Sequence, residues 1–177
     1  MKRIKIMLLF LIISLICATE FKPISQRPFD VTTSGVVYGR GIYMIVLPSE
    51  SSEYYLTLES AGGDFVKLKK SQGYDVEIIY LDQIELLPEN TSGIPQASDL
   101  KDYIINFKDD NPMLEYVLLI GDVNGPYTIP TFTINSYNEE DVDVTDYPYT
   151  FESDSYEAKF FIGRWPVRAI GDLLNIK

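Results

Sequence analysis

Asp122 stands directly after an aliphatic run, in YVLLIGDVNGP at Tyr116–Pro126. A charge at the mouth of a buried strand needs a reason. It reads in two ways: as a carboxylate facing a crevice, or as a cap on the turn that follows, taking the backbone amides of Asn124 or Gly125. Asp146 with Tyr147 is a second candidate, either on the rim of a crevice or in a turn before Pro148. Arg164, just after Phe160-Phe161-Ile162-Gly163, is a third. A guanidinium there can hold a carboxylate by a two-pronged pair, and Asp122 or Asp146 are its natural partners. We read Arg164 as one half of a structural ion pair rather than as a substrate anchor. The acidic run supplies a fourth group. Asp141, Asp143, Glu152 and Asp154, with Glu139, Glu140 and Asp146 nearby, carry hard oxygen ligands suited to calcium. Asp146 occupies the place where the sixth-position glycine of an EF-hand loop belongs, so that motif is rejected. What remains is an irregular calcium site or a solvated acidic loop.

What is missing limits the chemistry as firmly. The chain has no histidine, and Cys17 is its only cysteine. No Ser-His or Cys-His pair can form within it, and no imidazole- or thiolate-held zinc. Lysine and arginine number 15 against 26 acidic residues, a formal charge of −11. A surface this acidic repels phosphate backbones, so nucleic acid is excluded as a partner; cations or basic peptides suit it better.

The elements that must position these residues follow from hydrophobic period. Tyr43-Met44-Ile45-Val46-Leu47 is continuously apolar and closes at Pro48, as a strand covered on both faces does. From about Glu53 to Gln72 the spacing of Tyr55, Leu58, Phe65 and Leu68 predicts a helix, weakened at Gly62-Gly63. Lys67, Lys69 and Lys70 suit its carboxyl end and Gly73 terminates it. Tyr74–Leu81 predicts a second strand. After a polar loop, Ser98 is the expected cap of a helix over about Asp99 to Lys108, with Leu100, Tyr103, Ile104 and Phe107 on one face. The third strand ends at Asp122. Residues 131–157 read as an acidic excursion between two short extended pieces. Phe160–Pro166 is a fourth core strand, and Arg168 opens a helix. Strands alternating with helices predict a parallel sheet, whose carboxyl ends carry ligand crevices.

The first 18 residues stand apart. Lys2, Arg3 and Lys5 precede an apolar stretch, Ile6 to Ile16, with a cleavage position after Ala18. This is a secretory signal peptide pattern, too short for a comfortable membrane span. Ile16 is bulky where a lipidated Cys17 would require a small residue. Residues 19–41 read as a linker. Export through the leader leaves a mature chain without any thiol, held by its core alone.

The order YMIVLP (43–48), KLKKSQGYDVEIIYLDQI (67–84), DLKDYIINF (99–107), EYVLLIGDVNGPYTIP (115–130), TDYPY (145–149) and FFIGRWPVRAIGDL (160–173) resembles the gingipain-type cysteine peptidases, secreted enzymes of the caspase-like clan. The resemblance covers residues 43–177. It implies a three-layer caspase-like α/β sandwich with a mostly parallel sheet of about four strands, a Cys–His catalytic pair and hydrolysis of peptide or protein substrates. In that family the histidine and then the cysteine follow the IGR block, so the resemblance implies that residues 42–177 are the amino-terminal part of a catalytic domain, that its carboxy-terminal half is missing here, and that the chain is inactive as written. No catalytic residue carries over. Family members place an acidic side chain just before the IGR strand. Here Ala158 and Lys159 stand there, with Glu157 the nearest acid. The resemblance also favours calcium. A second reading of the same scaffold is an exported, non-catalytic, calcium-dependent binding module.

Overall fold

The fold is seen in a computed structural model that describes residues 39–49, 65–135, 142–152 and 155–175. The leader and most of the predicted linker lie outside these residues, as do the amino-terminal part of the helix predicted from Glu53 and the centre of the acidic excursion.

Two runs that the sequence marks as buried on both faces form the middle of the sheet. β1 (Gly41–Leu47) and β3 (Leu114–Ile120) lie side by side and parallel, with Ile45 opposite Leu118. β2 (Tyr74–Tyr80) pairs with the other edge of β1, and β6 (Phe161–Trp165) with the other edge of β3, giving the order β2-β1-β3-β6, all parallel. Alternate residues of the central strands enter different cores. Met44, Val46, Val117 and Leu119 point to one face, where they meet Leu100 and Ile104 of α2 (Ala97–Asp110). Ile45, Leu47, Leu118 and Ile120 point to the other, against Val66 of α1 (Phe65–Ser71) and Leu173 of α3 (Ile170–Asn175). Every one of these strand side chains is at most 5% exposed. Burial of each contributes roughly 1.5–3 kcal/mol, which is why the run from Val117 to Ile120 holds no polar residue.

The crossovers share one hand. α1 carries the chain from β1 outward to β2 on one face, and α2 returns it past β1 to β3 on the other. α1 stops where predicted: Gly73 takes a φ of 92°, and its N–H donates to the Lys70 carbonyl. α2 starts earlier than predicted. Its cap is Gln96 rather than Ser98, because the Asp99 carboxylate reaches back to the Gln96 N–H at 2.7 Å and also accepts the Leu87 N–H at 2.7 Å. The buried Asp99 thus fixes both the helix start and the loop before it.

Between β3 and β6 the two extended pieces form an antiparallel pair, β4 (Phe132–Asn135) and β5 (Val142–Thr145). A 3-10 turn, Tyr147–Thr150, then buries Tyr149 completely against the α2 face.

Candidate functional site

The candidates converge at the carboxyl ends of β3 and β6. Gly121 lets the chain turn there. A Cβ at this position would lie 2.4 Å from the Tyr127 carbonyl oxygen, so only glycine allows residues 122–129 to fold back. The return is pinned by the Asp122 N–H donating to the Tyr127 carbonyl at 3.0 Å and the Ile129 N–H donating to the Asp122 carbonyl at 2.9 Å.

Arg164 organises the rest. Its Nε donates to Asp146 Oδ2 at 2.8 Å and its Nη2 to Asp146 Oδ1 at 2.7 Å. Nη2 also donates to the Pro130 carbonyl at 3.0 Å, while Nη1 donates to those of Gly121 at 3.1 Å and Ile129 at 2.9 Å. These bonds use every N–H a guanidinium has. The side chain is 11% exposed. Arg164 therefore has no donor left for a substrate carboxylate. It ties the end of β3, the segment before β4 and the corner before Tyr147 into one unit. Thr131 Oγ1 adds a contact to Asp146 Oδ1 at 3.1 Å, and the Tyr149 hydroxyl donates to the Pro130 carbonyl at 2.6 Å. Burial pushes the Tyr149 hydroxyl well above its ordinary pKa.

Asp122 is paired elsewhere. Its Oδ2 meets the Arg168 Nε, and its Oδ1 accepts the Val123 N–H at 2.8 Å. The turn amides of Asn124 and Gly125 proposed from sequence are not its partners; the next residue's amide is. The Arg168 guanidinium, and then the Val123 amide, hold the Asp122 carboxyl below the usual carboxylate range, against the opposing effect of burial. Asp122 is 5% exposed, whereas the Arg168 side chain is 71% exposed. Asp172 Oδ2 fixes the base of this arm by accepting the N–H groups of Arg168 and Ala169, each at 2.9 Å. The sequence marked Arg168 only as the start of a helix; α3 begins at Ile170 instead, and Arg168 reaches back across the strand end to Asp122.

Tyr147 is half exposed; its hydroxyl donates to the Tyr156 carbonyl at 2.7 Å and its ring lies 5.2 Å from Phe151. Among the proposed calcium ligands, Asp141 and Asp154 fall outside the described residues. Asp143 is exposed on β5 opposite Ile134. Glu152 stands twelfth counting from Asp141, where a calcium-loop glutamate would be, but it is engaged by Lys159, which also lies 3.6 Å from Asp109. Among the described residues no three acidic side chains gather closely enough to hold a metal ion. Lys159, in the place where the resemblance leads one to look for an acid, joins α2 to the segment before β6.

A four-stranded parallel sheet with helices on both faces and a pinned carboxyl end defines a caspase-like α/β sandwich. The model of Peptidase family C25 matches residues 39–176, and the chain belongs to that family, the gingipain family of cysteine peptidases. No curated protein and no solved structure matches the chain.

Proposed function

We propose that this chain is the amino-terminal portion of a secreted, gingipain-like cysteine endopeptidase, inactive by itself, whose cysteine and histidine are supplied by sequence beyond it. The observation that carries the reading is the conjunction of a family match across residues 39–176 with a composition that lacks histidine altogether and has cysteine only at position 17. The clamp around Arg164 is scaffold: it shapes the strand ends against which a substrate peptide would lie, with Asp146 and Tyr147 on the rim. The apolar stretch after Lys2, Arg3 and Lys5 supports export.

The two edges of the sheet add weight. β2 exposes Asp75 and Glu77, charges that discourage pairing by another strand. Among the described residues, β6 has no such protection. Its only charge, Arg164, is turned inward to Asp146, and Phe161 is 70% exposed. Such an edge fits continued packing by further elements of the same domain. The test is to read the DNA downstream of the Lys177 codon. An in-frame continuation encoding a histidine and then a cysteine is expected. A genuine stop codon with no continuation in any frame would contradict the reading.

A further inference from the structure

Asn124-Gly125 lies in the loop that folds back after β3, and both residues are exposed. It is the only Asn-Gly pair in the chain. Hydrogen bonds close the loop around it: the Asp122 N–H donates to the Tyr127 carbonyl at 3.0 Å, and the Thr128 hydroxyl donates to the Gly125 carbonyl at 2.6 Å. The Asn124 side chain makes no hydrogen bond among the described residues, and neither does the Gly125 N–H. Gly125 takes a φ of 94°, which glycine adopts without strain, and beyond its chain neighbours no atom lies within 4 Å of the place a Cβ would take.

Other asparagines provide an internal comparison. Asn90 Nδ2 donates to the Ile94 carbonyl at 2.8 Å and to Asp99 Oδ2 at 2.6 Å. Asn106 Nδ2 donates to Asp102 Oδ2 at 2.9 Å inside α2. Asn111 Nδ2 donates to the Phe107 carbonyl at 3.0 Å, and the next residue, Pro112, has no N–H to react. Asn135 sits in β4 opposite Val142 of β5, and Ser136 follows it. In this set only Asn124 combines an amide that nothing holds with a following nitrogen that no side chain crowds.

We propose that Asn124 is a site of spontaneous deamidation through a cyclic imide formed with Gly125. The Gly125 nitrogen gives its proton to solvent and attacks the side-chain carbonyl carbon of Asn124, Cγ. A C–N bond forms and closes a five-membered succinimide. The bond from Cγ to Nδ2 breaks, and that nitrogen takes up a proton and leaves as ammonia. Water then adds to one of the two ring carbonyls and opens the ring, to aspartate or to isoaspartate. Both reacting groups belong to the chain, and water is the only co-reactant. Either product adds a negative charge to the loop. The isoaspartyl product also adds a methylene to the main chain, inside the loop whose ends, the carbonyls of Gly121 and Ile129, are held by Arg164.

The test incubates the purified full chain at mildly alkaline pH, once in native buffer and once in guanidinium chloride. Peptide mass spectrometry follows the amide-to-acid mass gain at each asparagine. In native buffer Asn124 is expected to convert faster than every other asparagine, and at no less than about one third of its own rate in denaturant, because an unheld loop opens at little cost. Fragmentation that separates the two products should find isoaspartate as well as aspartate. Another asparagine that converts as fast or faster, stronger protection of Asn124 by the fold, or aspartate alone overturns the proposal. Gly125→Ala should slow the conversion several-fold in denaturant, where folding plays no part. An unchanged rate there means direct hydrolysis of the amide and equally overturns the proposal.

Discussion

Two ion pairs meet at the carboxyl end of the sheet, and they are built in opposite senses. In Arg164–Asp146 the cation is the more enclosed member, at 11% exposure against 20%, and its N–H groups are shared between the carboxylate and three backbone carbonyls. In Arg168–Asp122 the carboxylate is buried and its arginine is largely in solvent. The difference separates a rivet from an arm. Removing the first leaves several buried acceptors unsatisfied at once. Removing the second exposes one carboxylate that water can reach through the space the arm vacates.

The largest effect should therefore come from Arg164→Met, which keeps the bulk and removes every donor. Chemical denaturation should report a loss of about 3–5 kcal/mol, the range for breaking a buried pair from one side. A loss of less than about 1 kcal/mol, the range of an exposed pair, would erase the contrast between the two sites. Tyr149→Phe probes the same rivet more gently. It strips the hydroxyl that reaches the Pro130 carbonyl and should cost about 1 kcal/mol in the same assay.

Asp122→Asn sharpens the comparison through pH. Because the folded carboxyl titrates below its unfolded value, its charged form stabilises the fold above about pH 4, and that contribution disappears as pH falls through the folded value. Melting curves of the parent and the variant should differ most near neutral pH and converge in acid. Asp99, which is also held low because amides from Gln96 and Leu87 outweigh its burial, contributes equally to both proteins and cancels. A gap independent of pH would remove the ionic role of Asp122. The smallest effect concerns salt. Raising ionic strength should narrow the stability difference between the parent and Arg168→Gln, since the exposed arm is screened, and should leave the Arg164→Met difference nearly unchanged.

The sheet was legible because its central strands have to be apolar on both faces. YMIVL and VLLI permit hardly any other reading, and the face of α2 carrying Leu100 and Ile104 is spaced as a helix requires. The short β4–β5 pair was visible only as extended pieces. Four residues of mixed polarity carry no signal for which partner they take. The cap at Gln96 was hidden because the decisive group, Asp99, acts backward from inside the helix. Arg164 and Asp146 were recognisable as candidates, yet their union spans 18 positions and that of Arg168 with Asp122 spans 46. Side-chain reach across a folded turn decides such pairings, and nothing local in the sequence encodes it. The turn after β3 was legible, but the close approach of the Tyr127 carbonyl that demands glycine at position 121 was not.

The central claim is that the scaffold of a C25 peptidase is present while its nucleophile and base are not. The most direct measurement is hydrolysis of a denatured protein substrate by the purified chain, with and without a thiol-alkylating reagent. No cleavage above buffer is predicted in either sample. Turnover that copurifies with the folded chain, sensitive to the reagent or not, would contradict the claim.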